Sequence, residues 1–177
     1  MPQDFDVAVS TLDTIYENDK LSGAEKAGVK SSLGRVYLQL GDLTAASLCF
    51  AEAKKMRETA SCLDQHMDDA MLAVAKGDFD EALTALGHAK AIEPQNPAVV
   101  NNMSVCLLYT GKLSQALALL EGHLTNDPAD FLRETQVLNL ATLYELESSY
   151  ASQKKQSLLD FVARYAGDGA NTSCLKF

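Results

Sequence analysis

Three glycines, Gly41, Gly77 and Gly111, stand 36 and 34 residues apart, and the same pattern follows each of them. Five residues on comes a small residue (Ala46, Ala82, Ala116), and four further a large apolar one (Phe50, Leu86, Leu120). In the second and third copies a proline lies 17 residues after the glycine, at Pro94 and Pro128. A period of this length marks stacked units, none of which buries its apolar face alone. Each unit reads as two helices with a turn between them. Glycine closes the first helix in left-handed dihedrals without a steric penalty. Asp42 and Asp78 are placed to accept orphan amide hydrogens and open the second. The alanines stay short where the helices cross, so a glutamate there meets both crowding and buried charge. In EPQNPAVV, Asn96 suits a cap and Pro97 a first helical turn.

The string Leu33-Gly34, Tyr37, Ala46, Phe50 resembles the tetratricopeptide repeat spacing, with Lys30 at the first aromatic position and Met103-Ser104 for Leu-Gly in the third copy. The fold class expected is all-α: an α-solenoid of tetratricopeptide helical hairpins. Residues 1–177 form one such domain. It has a half repeat over 3–20, repeats over 27–60, 63–96 and 97–130, a divergent capping repeat over 131–166 and a tail over 167–177. Nine helices are expected, near 4–17, 23–40, 43–58, 62–76, 79–92, 97–110, 113–126, 131–147 and 150–165. The segment QDFDVAVSTLDTIYEND aligns without gaps with GDFDEALTALGHAKAIE, as the second helix of a repeat whose first is missing. The chain is thus expected to begin inside a longer solenoid. Leu158, Val162 and Tyr165 share a helix face that caps the array. The tail NTSCLKF either folds back or frays, or serves as a docking motif. The softest joint falls in KMRETASCLDQHMDD, where two extra residues relative to the 34-residue period lengthen the connection.

Composition narrows the function classes. With 47% hydrophobic and 22% charged residues the chain can build a sizeable core, and its net charge of −9 argues against nucleic acid. The clusters Lys54-Lys55-Met56-Arg57 and Lys154-Lys155 are expected on solvated helix faces. No 18-residue apolar run occurs, and MPQDFDVAVS is not a signal segment. Cys49, Cys62, Cys106 and Cys174 lack CxxC spacing, which suits a reducing cytosol without disulfides or zinc. Cys49 and Cys106 read as small buried apolar residues.

Enzyme patterns fail. Gly111-Lys112-Leu113-Ser114 lacks the rest of a phosphate loop and sits where the turn belongs. His66, His88 and His123 are assigned to three different repeats without ligand partners, and His66 with Asp69 to a surface hydrogen bond. Asp68-Asp69 and Asp78/Asp80 are placed at helix starts, where they favour the dipole. No catalytic residue, metal or cofactor is expected.

The remaining candidates line the concave face, where tetratricopeptide proteins place positions 2, 5, 9, 12 and 13 of each repeat. Those positions give Ser31, Arg35 and Gln39; Met67 and Met71; Asn101, Val105 and Tyr109; Leu138 and Thr142. Asn102 and Asn139 lie beside them, either to bind a partner's backbone or to bridge neighbouring helices. A carboxylate-gripping groove needs several basic and amide residues there, and only Arg35 and Asn101 are offered. A peptide-binding co-chaperone-like adaptor is therefore the weaker alternative.

The stretches NNMSVCLLYTGKLSQAL, LNLATLYELESS, QKKQSLL and NTSCLKF resemble the C-terminal tetratricopeptide region of the family of subunit 12 of the trafficking protein particle (TRAPP) complex. The resemblance is closest over Asn101–Phe177, looser through LGRVYLQLGDLTAA and poor over 56–76. It implies a non-catalytic scaffold or adaptor subunit of a TRAPP III-type vesicle-tethering complex, acting in endoplasmic-reticulum-to-Golgi transport and autophagy. The implied partners are other TRAPP subunits, namely 8, 11 and 2. A Rab GTPase is met only indirectly, and no nucleic acid or membrane insertion is involved. The implied location is the cytoplasm, peripheral to the ER–Golgi intermediate compartment and Golgi membranes through the complex.

Overall fold

The computed structural model describes residues 4–57, 62–126, 128, 133–147 and 150–165. Among the described residues there are nine α-helices and no strand. They are α1 (Phe5–Tyr16), α2 (Gly23–Leu40), α3 (Leu43–Met56), α4 (Leu63–Lys76), α5 (Phe79–Ile92), α6 (Pro97–Tyr109), α7 (Leu113–Asn126), α8 (Glu134–Glu147) and α9 (Ala151–Tyr165). The expected boundaries hold to within a few residues. The expected helix over 131–147 begins at Glu134, with 129–132 outside the described residues. The tail from 167 onward also lies outside them.

The three repeat glycines are left-handed, with φ of 79° at Gly41, 84° at Gly77 and 76° at Gly111. Each turn then starts a helix within two residues. Asp42 accepts the Ala45 amide at 2.9 Å, and Asn96 caps α6 by accepting from Ala98 and Val99 at 3.0 and 3.2 Å. Ser22 and Glu25 form a capping box at the start of α2. Local chemistry thus cuts the chain where the period predicts.

The helices pair as α2 with α3, α4 with α5, α6 with α7 and α8 with α9. Ala46, Ala82 and Ala116 are fully buried, as are Leu86 and Leu120, with Phe50 close behind at 3% exposed. Gly34 faces Phe50 so closely that an added Cβ would stand 2.4 Å from the ring's Cε1. The residues in its place in the next repeats, Ala70 and Ser104, lie sixteen positions before Leu86 and Leu120. Where the partner is an aromatic ring the small residue is glycine; where it is leucine, alanine or serine fits. Cys49 and Cys106 are buried, as their apolar reading expects. At the aromatic position, the Lys30 ammonium stands 4.3 Å from the Tyr16 ring centroid and 2.8 Å from Glu52 Oε2, held by a cation–π contact and an ion pair.

The chain divides into two compact units, Met1–Ile92 and Glu93–Phe177. In the first, α2 packs against α1, α3 and α4, and α3 also meets α4. In the second, α8 packs on both α6 and α7, and Val100, Leu120, Leu140, Tyr144, Leu158 and Val162 belong to one apolar core.

Four sequence expectations need correction. Asp68 is not a dipole residue at a helix start: it lies in the second turn of α4 and is fully buried. Arg57 is not solvated, its side chain being 8% exposed against Asp68. Lys155 is likewise buried, reaching Glu145 Oε1 at 2.7 Å, whereas Lys54 and Lys55 are exposed as expected. His66 and His88 belong to one hairpin, with ring centroids 5.2 Å apart. In the first three cases a long basic side chain or a partner arginine carries the charge inward, which helical periodicity alone does not register.

Candidate protein-interaction surface

In the first unit the inward positions fall on α2 and α4. Ser31, 3% exposed, donates its hydroxyl to Asp68 Oδ1 at 2.5 Å. Arg35 Nη2 reaches the same oxygen at 3.4 Å, and Arg57 Nη2 meets Asp68 Oδ2 at 2.7 Å. Arg57 Nη1 also donates to Gln65 Oε1 at 2.8 Å, and Gln65 Nε2 donates to Asp69 Oδ1 at 2.8 Å. The outcome is a polar clasp tying the end of α3 and the middle of α2 to α4. A buried carboxylate this well paired offsets its desolvation by hydrogen bonds from three side chains. Of the other candidates in this unit, Met67 is buried, Met71 is half-buried and Gln39 is exposed. Arg35, the cation that a peptide carboxylate would need, is committed to Asp68 with 43% of its side chain still exposed.

In the second unit the inward positions fall on α6 and α8, which pack together. Asn139 Nδ2 donates to Asn101 Oδ1 at 2.8 Å, and Asn101 Nδ2 approaches Asn102 Oδ1 at 3.5 Å. The Asn102 contact thus stays within α6, whereas Asn139 bridges two neighbouring helices. Gln136, buried at 2%, does the same by donating to the Pro97 carbonyl at 2.8 Å. With the amides occupied, the face presents apolar groups instead. Tyr109 is 66% exposed, Leu138 44% and Leu146 56%. Leu138, Thr142 and Leu146 follow one another at four-residue intervals along one face of α8, and Thr142 turns its hydroxyl to the Leu138 carbonyl at 2.9 Å. Between α6 and α8 a gap of about 30 Å³, lined by Ser104, Val105, Leu108, Asn139, Thr142 and Leu143, has room for little more than one water. This face is suited to contact by area.

A larger groove of about 490 Å³ lies in the first unit, lined among others by Lys54, His66, Asp69, Lys76, Glu81 and His88. Its ionisable side chains carry both signs of charge. Among the described residues no cluster of three or more histidine, cysteine or carboxylate ligands could hold a metal. Among them, too, no helix is long and apolar enough to cross a membrane. The period offers candidate positions but gives no sign of Arg57 or Gln136; for Asp68 the one available signal is its place with Gln65 among Ala70 and Ala73 on the buried side of α4.

Profiles of the tetratricopeptide repeat match residues 27–59 and 73–133. Among curated proteins, trafficking protein particle complex subunit 12 of Mus musculus is 37% identical over 178 residues, which is 98% of this chain and 22% of that protein. The same subunit of Homo sapiens is 40% identical over 150 residues, 82% of this chain and 20% of that protein. The chain thus spans about a fifth of the length of these relatives, and the likeness extends well beyond Asn101–Phe177. Among solved structures, a tetratricopeptide repeat protein of Parabacteroides merdae superposes with a TM-score of 0.70 at 16% identity, covering 97% of this chain and 61% of that one. A thermophilic protein of the same class from Thermus thermophilus gives 0.67 at 20% identity, covering 92% and 89%. Those structural likenesses speak to fold alone. With its left-handed turns, its paired helices and these matches, the chain belongs to the tetratricopeptide repeat family, in the branch typified by trafficking protein particle complex subunit 12.

Proposed function

We propose that the chain is a non-catalytic interaction module of a TRAPP-type assembly. The observation that carries this reading is the 37% identity to subunit 12 over 98% of the chain, which includes both units. On this reading the repeats 27–60, 63–96, 97–130 and 131–166 supply surfaces to neighbouring large subunits. Subunits 8, 11 and 2 are the partners, within a TRAPP III-type vesicle tether. Its contribution to Rab exchange is indirect, through assembly, and it reaches ER–Golgi intermediate and Golgi membranes only as part of the complex. Transport between these compartments and autophagy are the processes it serves.

The partner-facing residues proposed are Arg35, Gln39, Met67, Met71, Asn101, Asn102, Tyr109, Leu138, Asn139 and Thr142. Tyr109 and Leu138 carry most weight, because exposed aromatic and aliphatic groups become anchors once a partner excludes water. A stable interface needs about 800 Å² on each side, so several repeats must contribute. The carboxylate-clamp alternative is disfavoured by Arg35 being engaged with Asp68 and Asn101 being bonded to Asn139.

The test is affinity capture from cell extract with the chain as bait, scored for TRAPP subunits by mass spectrometry. The wild type is expected to recover subunits 8, 11 and 2. A Leu138→Glu/Leu146→Glu variant, with an unchanged thermal melt, is expected to lose at least one of them. Recovery of no TRAPP subunit by the wild type overturns the reading. Heat evolved in calorimetry with a free-carboxylate peptide, lost in Arg35→Ala, would favour the alternative.

A further inference from the structure

The α8–α9 hairpin is held together differently from the three before it. Those turn on a left-handed glycine, and each second helix carries a fully buried alanine four residues before a large apolar one. Between α8 and α9 the sequence has no glycine, and the residue four before the buried Leu158 is Lys154. The buried side of α9 consists of Lys155, Leu158 and Val162. Charge placement is inverted as well. The partial charges of a helix favour acids at its start and bases at its end. Both α4 and α5 follow that rule, with Asp64 or Asp80 and Glu81 in the first turn and Lys76 or Lys90 in the last. The facing ends of α8 and α9 break it. Glu145 and Glu147 end α8 with no base in its last turn, and Lys154 and Lys155 follow the start of α9 with no acid in its first.

Each helix alone is therefore opposed by its own terminal charges, and docking cancels them. Lys154 pairs with Glu147 and sets its ammonium 4.9 Å from the Tyr144 ring centroid, while Lys155 Nζ reaches Glu145 Oε1 at 2.7 Å. An exposed ion pair contributes little by itself. Here the Lys155 side chain is only 7% exposed, and each charge also meets the favourable end of the neighbouring helix. We propose that α9 is a conditionally docked helix, latched to α8 by these inverted charges, and that it unfolds as it leaves. A helix of 15 residues is marginal in isolation, and Lys154 and Lys155 weaken this one further. Release withdraws Leu158 and Val162 from the second unit's core and uncovers its Tyr144 side. Salt, or loss of charge at the two lysines, opens the latch. This stands on charge placement within the hairpin and not on the assembly proposed above.

Amide exchange of the full chain, followed helix by helix, tests it. Raising sodium chloride from about 0.05 to about 0.5 M is expected to speed exchange in α9 about threefold and to leave α5 unchanged. Lys154→Glu/Lys155→Glu suits the start of α9 but sets four carboxylates against one another across the hairpin. With it, α9 is expected to exchange about tenfold faster than in the parent. Adding Glu145→Lys/Glu147→Lys restores both pairs and suits both helix ends, so protection should return to the parent level or exceed it. Exchange in α5 at the parent rate in every variant shows that the opening is local. Slower exchange in Lys154→Glu/Lys155→Glu would mean that α9 obeys its own dipole, which overturns the latch. A fourfold variant that stays as exposed as the twofold one overturns the pairing, and loss of protection in α5 alongside α9 overturns the local release.

Discussion

At the scale of single residues, packing and charge give two sharp expectations. Gly34 has no room for a methyl group against Phe50, because an alanine Cβ there would lie within 3.0 Å of the ring's Cε1, Cδ1 and Cζ. Gly34→Ala gains helix propensity but forces a buried ring to shift, and the net cost is expected at about 1–2 kcal/mol. Phe50→Leu alone leaves a cavity and costs about 1 kcal/mol. Together they recreate the Ala70/Leu86 pair, so urea melts of the double variant should fall short of additivity by about 1 kcal/mol or more. Strict additivity would mean that the two side chains do not determine each other. At Asp68 the matter is charge. Asp68→Ala leaves Arg57, 8% exposed, without its anion and should cost about 3 kcal/mol. Arg35, at 3.4 Å and with 43% of its side chain exposed, should cost under about 1 kcal/mol when changed to alanine. Equal losses in the two melts would refute the clasp as drawn.

At the scale of helices, the chain announces its breaks and conceals its polar interior. Each turn is set by one residue with a special backbone or capping role, so Gly41, Gly77 and Asn96 could be placed from sequence with the right mechanism. The apolar positions followed because a 34-residue period repeats the same crossing. Asp68 was not legible, because its burial depends on Arg57 arriving from the preceding helix and Ser31 from an earlier one. Neither separation belongs to a period. The same holds for Gln136, whose partner is the Pro97 carbonyl 39 residues away. The bridge made by Asn139 was one of two outcomes open from sequence, but the pairing of Arg35 with Asp68 was not legible. A turn-level prediction follows from Gly77, where φ is 84° and nothing stands within 4 Å of an added Cβ. Gly77→Ala meets only backbone strain and should cost about 1 kcal/mol, whereas Gly77→Val, branched in the same dihedrals, should cost more. Equal thermal melts for wild type and both variants would show that the turn is not held left-handed.

At the scale of the whole molecule, pH acts through groups that folding desolvates. Burial raises the Cys49 and Cys106 thiols above the usual cysteine value, and raises Tyr144 well above 10, with the neighbouring Glu121 adding to the effect. An acid whose folded pKa is raised contributes stability that is complete below its unfolded value and is lost as pH climbs through the folded one. For these groups the erosion begins near 9 for the thiols and 10 for the phenol. The net charge of −9 at pH 7 grows more negative over the same range, so self-repulsion works in the same direction. On the acid side the sign reverses. Hydrogen bonds from the Ser22 backbone and hydroxyl lower Glu25, so the capping box contributes above 4.5 and is lost as pH falls through the lower folded value. Urea midpoints measured from pH 7 to 11 should therefore decline above 9, and Tyr144→Phe should flatten the decline beyond 10. Phenylalanine keeps the ring that Lys154 approaches at 4.9 Å while removing the titrating hydroxyl and its hydrogen bond to Glu121, so the slope of the pH dependence, and not the absolute midpoint, is the readout. An alkaline slope identical in Tyr144→Phe and wild type would place the titrating burden elsewhere in the chain.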